Sequence, residues 1–313
     1  MLSEFELVRR YFGRGAPSAL LGVGDDAAIL APTPGAELAF ATDLLLEGRH
    51  FRAHDDPRAL GHKALAVNLS DMAAMGARPR WALLAIALPE ADEAWLAAFA
   101  DGLYALAARF GVDLVGGDTT RGPRTLCVAI LGEVPAGQAL TRAGARPGDD
   151  VWVSGNSGVR RSRSRARARQ TRTRRAGVAA PEPRVSLGER LRALASSAID
   201  VSDGFAQDLG HILEASGVCA RVRYEALPRH PALERPGVDE ALRRRCVLAG
   251  GDDYELVFTA APAARAAIEE VGRALGVRLS RVGTIERGAP QLAIVDARGA
   301  PIEPPRGFDH FAA

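Results

Sequence analysis

Gly22-Val23-Gly24-Asp25-Asp26-Ala27 admits two readings, and the choice between them decides the fold. The segment fits G-x-G-x-x-A, the turn that opens a dinucleotide-binding βαβ unit, and Asp43 follows at the spacing of a ribose-binding acid. That fold needs a long helix directly after the glycines, and Pro32, Pro34 and Gly35 end any such helix within two turns. The second reading is a glycine turn that closes on adjacent carboxylates. The arrangement recurs at Thr42-Asp43, Ser70-Asp71, Gly116-Gly117-Asp118-Thr119-Thr120, Asp200-Val201-Ser202-Asp203 and Gly250-Gly251-Asp252-Asp253. Any one of these is an ordinary turn or helix cap. Together they describe an acidic pocket built from strand and helix ends, which divalent cations would have to neutralise.

Working outward, Ala27 to Leu30 and Glu37 to Ala41 are predicted strands joined by Pro32-Thr33-Pro34-Gly35, with Asp43 at the end of the second. Leu44 to Phe51 reads as a loop carrying Glu47, Arg49 and His50. Asp56-Pro57 opens a helix that runs to Met75 and stops at Gly76, with Asn68 and Asp71 on one face. Trp81 to Leu88 is expected to be a strand buried on both faces, and Asp92 to Phe110 an amphipathic helix closed by Gly111. A strand at Leu114-Val115, leading into Gly116-Gly117-Asp118-Thr119-Thr120-Arg121, and a strand from Thr125 to Val134 complete an N-terminal domain over residues 1–140. Residues 141–150 form a linker. Residues 151–313 alternate strands and helices again and form a C-terminal domain, interrupted by an Arg/Ser-rich tract at 157–180. The fold class expected is α+β, with mixed sheets and helices packed on one face.

Composition narrows the function. At 313 residues and 47% hydrophobic, the chain has ample material for two cores. Its longest apolar run, Trp81 to Leu88, is far short of the roughly 20 residues that span a bilayer. The acidic opening, Met1-Leu2-Ser3-Glu4-Phe5-Glu6, reads as a capping box, not an export signal. Cys127, Cys219 and Cys246 include no C-x-x-C pair, so a cytoplasmic protein without membrane contact is expected. Net charge is +2, but nine arginines between Arg160 and Arg175 lie in the acid-free tract, and removing them leaves the rest at −7. An acidic body argues against a nucleic-acid surface.

Lys63 is the only lysine, and Gly61-His62-Lys63-Ala64 does not fit a P-loop; H-E-x-x-H, G-x-S-x-G and the kinase pair H-R-D and D-F-G are absent. An acid-rich, glycine-rich site without an evident nucleophile or base suits phosphoryl transfer, where metal ions and positioning carry the catalysis.

Several longer motifs carry a resemblance. They are Gly22-Val-Gly-Asp-Asp-Ala-Ala28, Ala41-Thr-Asp43, Glu47-Gly-Arg-His-Phe51, Lys63-Ala-Leu-Ala-Val-Asn-Leu-Ser-Asp-Met-Ala-Ala-Met-Gly-Ala77 and Val115-Gly-Gly-Asp-Thr-Thr-Arg-Gly-Pro123. The second half adds Ala198-Ile-Asp-Val-Ser-Asp-Gly204, Gly250-Gly-Asp-Asp-Tyr-Glu-Leu256 and Gly307-Phe-Asp-His-Phe311. With these the chain resembles the thiamine-monophosphate kinases of the aminoimidazole-ribonucleotide-synthetase-like superfamily. The resemblance implies that architecture, a homodimer that pairs its N-terminal sheets, and a nucleotide held between the domains. It implies ATP-dependent phosphorylation of thiamine monophosphate to thiamine diphosphate by direct transfer. Asp26, Thr42, Asp43, Asp71, Asp118, Asp200 and Asp203 would hold several Mg2+ ions. Gly117, Asp118, Arg142, Ser202 and, more weakly, Tyr104 would contact ATP. His50, Asp252 and Phe308 would meet the acceptor, Asp252 standing where Glu is common and Phe308 where Tyr is common. No general base is implied, because a phosphate monoester is already largely anionic at neutral pH. Alternatives are another ATP-using superfamily member, such as a purine-pathway synthetase, or a dinucleotide-dependent oxidoreductase.

The tract departs from the family pattern, which continues here with Gly-Asp-Ala-Ala and an Ala/Leu-rich helix. Its abrupt onset and return read as a local frameshift or a natural basic insert.

Overall fold

The computed structural model describes residues 3–158, 180–305 and 307, which divide into two compact units. One contains residues 3–72, 77–137 and 180–183; the other contains 73–76, 138–158, 184–305 and 307. The expectations for residues 159–179 and for Phe308 lie outside the described residues.

The first unit opens with α1 (Glu4–Leu7), whose capping box closes through Ser3 and Glu6. Four strands follow: β1 (Ala36–Leu46), β2 (Arg78–Leu88), β3 (Asp113–Arg121) and β4 (Thr125–Pro135). They form a mixed sheet in the order β1-β4-β2-β3, in which β2 and β3 run parallel and the other neighbours antiparallel. Helices α2 (Pro57–Ala74) and α3 (Glu93–Phe110) pack through glycines, because no side chain fits between their backbones. A Cβ on Gly61 would lie 2.0 Å from the Phe99 carbonyl oxygen, and one on Gly102 1.9 Å from that of Arg58. Helix α2 rests on the sheet where Met72 reaches Gly132 of β4. Residues 82, 84, 86 and 88 of β2 and 126, 128 and 130 of β4 are buried on that side. On the opposite face Leu38, Phe40, Leu44 and Leu46 of edge strand β1 are exposed.

The second unit carries β5 (Asp150–Ser154), β6 (Ser197–Asp200), β7 (Cys219–Arg223), β8 (Leu256–Ala260), β9 (Leu279–Glu286) and β10 (Gln291–Val295). Their order is β10-β7-β9-β5-β8-β6, parallel at β10/β7 and antiparallel elsewhere. Its helices are α4 (Val185–Leu191), α5 (Phe205–Ser216), α6 (Glu240–Ala249) and α7 (Arg265–Leu275). Val151, Val153, Ile199 and Val257 of the strands bury against Phe205, Leu209 and Ile212 of α5 and Val247 of α6. Each such side chain contributes on the order of 2 kcal/mol. Both units are α+β with mixed sheets and helices.

Several local expectations change. Ala27 to Leu30 is not a strand; single bridges tie Ile29 to Leu21 and Val23 to Asp25, and Pro32 and Pro34 nearby lack the N–H groups that a ladder needs. No helix follows the glycine turn, which removes the structural basis of the dinucleotide reading. Strand β1 runs on past Asp43 to Leu46, held by unbroken pairing from Ala36↔Pro135 to Leu46↔Thr125. Strand β2 is not buried on both faces, since Leu83 and Ala87 are half-buried and Ala85 is exposed. The strand expected at Leu114-Val115 continues through Gly116 to Arg121, because pairing with β2 outweighs the turn-forming composition of Gly116-Gly117.

Candidate active site

In the first unit the candidate residues arrive from four elements. Asp26 lies in the exposed glycine segment, where its backbone N–H donates to the Asp25 carboxylate at 2.9 Å. Asp25 therefore braces the turn and Asp26 keeps its carboxylate outward. Thr42 and Asp43 are neighbours on β1 and so face opposite sides of the sheet. Thr42 is on the open face, its hydroxyl donating to the Val128 carbonyl at 3.0 Å; Asp43 is half-buried on the other. Asp118 shares the open face with Thr42 because of a bulge. Ala82 pairs with Leu114 but Leu83 pairs with Gly116, so Val115 is an extra residue. A one-residue slip exchanges the faces of everything beyond it. Gly117, with φ 147, leaves no room for a side chain above the Leu84 carbonyl.

The same register separates candidates. Asp118, Ala85, Cys127 and Leu44 form one row across the sheet, and Thr42, Ala129, Leu83 and Gly116 another. Thr42 and Asp118 thus stand on the two outer strands, three spacings or about 14 Å apart. Within one copy they cannot ligate one ion. Asp71 is half-buried on α2, near the fully buried Asn68, whose Oδ1 has no hydrogen-bond partner among the described residues. Tyr104 is engaged: its hydroxyl donates to the Phe12 carbonyl at 2.6 Å and the Arg14 guanidinium lies 4.2 Å from its ring centre.

His50 sits in the turn between β1 and α2. Its Nδ1 accepts from the Leu46 N–H at 2.9 Å, and its backbone N–H donates to the Leu46 carbonyl at 2.9 Å. An Nδ1 that accepts has no proton of its own, so the neutral ring carries its proton on Nε2.

In the second unit the acids gather around one turn. Strand β6 ends on the buried Asp200, and Ser202-Asp203-Gly204 leads into α5. The Asp208 carboxylate accepts from the N–H groups of Ser202, Asp203 and Gly204 at 3.0, 3.1 and 3.1 Å. Burial pushes its pKa up to about 7, against the Gly204 hydrogen bond and with the charges of Asp200 and Asp203 adding. Sequence reasoning missed Asp208, because an acid in a helix's first turn has a commonplace explanation. The segment Gly250 to Tyr254 closes over the same turn: Asp252 N–H donates to the Ser202 carbonyl at 2.8 Å and Tyr254 N–H to that of Val201 at 2.9 Å. Asp252 and Tyr254 hold left-handed backbone at φ 65 and 52, and the Tyr254 hydroxyl donates to the Asp252 carboxylate at 2.9 Å. Gly307 packs against Gln207, whose amide reaches Asp203 at 3.4 Å. The Arg142 side chain is exposed, and its carbonyl accepts from the Ser216 hydroxyl.

Among the described residues no three His, Cys, Asp or Glu side chains lie close enough to enclose an ion. The candidate donors are oxygens spread over separate elements. That set fits Mg2+, which takes one or two carboxylates and completes its shell with water and substrate phosphate.

The family model for the N-terminal domain of AIR synthase related protein matches residues 24–134. Thiamine-monophosphate kinase of Salmonella typhimurium is 44% identical over 321 aligned positions, covering 99% of this chain and 98% of that protein. The crystal structure of thiamine-monophosphate kinase from Stenotrophomonas maltophilia K279a is 45% identical with a TM-score of 0.85, covering 94% of this chain and 96% of that one. AaThiL, solved in complex with AMPPCP and TMP, is 26% identical with a TM-score of 0.76, covering 98% and 96%.

Proposed function

Because the chain belongs to the thiamine-monophosphate kinase family, we propose that it transfers the γ-phosphoryl group of ATP to thiamine monophosphate, yielding thiamine diphosphate and ADP. The observation that carries this reading is the full-length match to AaThiL, solved with AMPPCP and TMP together. In this proposal the bond from γ-phosphorus to the β,γ-bridging oxygen breaks as an oxygen of the acceptor phosphate bonds to that phosphorus in line, without a phosphoenzyme. No residue has to remove a proton, because a phosphate monoester has a second pKa of about 6. His50 fits that scheme as a binding residue, since its ring is held with Nδ1 accepting from Leu46 and the proton on Nε2.

Asp26, Thr42, Asp43, Asp71 and Asp118 from the first unit, and Asp200 and Asp203 from the second, are the proposed ligands of Mg2+ ions. When bound, Mg2+ neutralises and bridges the phosphate oxygens. Their all-oxygen chemistry supports this, and the separation of Thr42 from Asp118 supports a reading in which those two serve different ions within a copy. Gly117, Ser202 and Arg142 are the proposed ATP contacts; Tyr104 would first have to exchange Phe12 and Arg14 for nucleotide. Asp252 is the proposed acceptor contact beside Ser202. The apolar open face of β1 supports a homodimer in which that face is covered by a second copy. No helix among the described residues is long and apolar enough to cross a membrane. The thiols Cys127 and Cys219 suit a cytoplasmic setting. Calorimetric titration with thiamine monophosphate, in the presence of Mg2+ and AMPPCP, should show saturable binding that is weakened in H50A. Equal binding of free thiamine would contradict the proposed recognition of a phosphorylated acceptor.

A further inference from the structure

The only lysine of the chain is fully buried, and its place is explained by the loop it holds. Lys63 lies in the second turn of α2 and its Nζ donates to the His50 carbonyl at 3.0 Å. A buried ammonium is tolerated only where its hydrogen bonds are made inside the protein. Other contacts also tie the loop from Glu47 to Phe51: Gly48 N–H donates to the Phe51 carbonyl at 2.8 Å, and Arg124 pairs with Glu47 at 2.7 Å. Three hydrogen bonds bear on His50 directly. Its N–H and its Nδ1 are bonded to Leu46, and its carbonyl to Lys63. Of these, the Lys63 contact is the one that ties the loop to a helix of the core.

We infer that Lys63 is a positioning residue for the acceptor site, clamping the His50 carbonyl from inside α2 so that the imidazole is held with its proton on Nε2. The inference rests on the reading of His50 as an acceptor contact. Lys63 touches no reacting atom in this scheme. Its removal frees the loop, lets the ring sample other rotamers and tautomers, and weakens the acceptor selectively. The sequence offers a signal for this in retrospect, since a chain with 40 basic residues uses lysine once, within the helix motif.

The test compares full-length protein with K63M, H50A and the double variant. At saturating ATP, K63M should raise KM for thiamine monophosphate about tenfold, the scale of one charge-assisted hydrogen bond, with KM for ATP nearly unchanged. The double variant should be no worse than H50A, because Lys63 acts on the acceptor only through the imidazole that H50A has already removed. Additive effects, or equal losses toward both substrates, would overturn the inference. A second measurement needs neither turnover nor the K63M variant. Protein labelled with both 15N-lysine and 15N-histidine gives a single Nζ resonance, and long-range 1H–15N spectra, assigned with H50A, report the His50 tautomer. A protonated Nδ1 in the unmutated protein, or an Nζ resonance whose protons exchange with solvent as fast as those of a free ammonium, overturns the clamp. If the clamp signals are present but thiamine monophosphate is neither bound nor turned over, the functional reading fails and the clamp stands.

Discussion

Asp252 combines two demands that a substitution pair can separate. Its left-handed backbone, φ 65, costs a residue with a Cβ roughly 1 kcal/mol relative to glycine, while its carboxylate accepts from Tyr254. D252A and D252G should therefore raise KM for the acceptor alike, with D252G the more stable by about 1 kcal/mol in urea melts. Equal stabilities would mean that the turn relaxes. Glu133 gives a pH-dependent counterpart away from the site. Burial alone would raise its pKa, but the Thr33 N–H and hydroxyl, at 2.7 and 2.8 Å, and the Arg80 guanidinium, at 2.8 Å, outweigh burial and hold it below 4.5. A depressed carboxyl stabilises the fold above its unfolded pKa and loses that contribution as pH falls through the folded value. E133Q should cost on the order of 1–3 kcal/mol at pH 7, and the deficit should shrink as pH falls below 4.5. A deficit that stays constant across that window would refute the assignment. Motifs made the candidate acids legible in the sequence. The partners that set their geometry, Asp208 under the Ser202 turn and Tyr254 on Asp252, were not, because an acid in a helix's first turn and a tyrosine two residues on have commonplace explanations, and only the backbone path of the turn brings them onto these groups.

At the scale of elements, the close approach of α2 and α3 depends on Gly61 and Gly102. G102A would put a methyl 1.9 Å from the Arg58 carbonyl oxygen, so the helices must part. The expected loss is about 1–3 kcal/mol in a thermal or urea melt; an unchanged midpoint would show that the pair is loosely packed. Long elements, including α2, α3, β4 and α5, were readable from their caps or their apolar pattern, as with Asp92 before α3 and Gly111 after it. Short glycine-rich segments were not. Gly116-Gly117-Asp118 has turn composition, yet ladder pairing with β2 makes it a strand, and the Val115 bulge decides which face Asp118 takes. Pattern within one segment cannot report the register of its neighbour.

For the whole molecule, the unburied face of β1 makes a prediction about assembly. Leu38, Phe40, Leu44 and Leu46 are 50, 65, 50 and 38% exposed and share one side of an edge strand. F40E should convert a dimer to a monomer in sedimentation velocity runs at micromolar concentration, because a buried charge without a partner is not tolerated at an apolar interface. A wild-type monomer, or a dimer unaffected by F40E, would place the interface elsewhere. The central claim, phosphoryl transfer to a phosphorylated acceptor, is tested most directly by following ADP release by the full-length protein with Mg2+ and ATP. Thiamine monophosphate and free thiamine serve as alternative acceptors. The account predicts ADP release with thiamine monophosphate, matched by thiamine diphosphate formation and abolished by EDTA, and none with thiamine; folded protein that turns over neither, or prefers free thiamine, would contradict it.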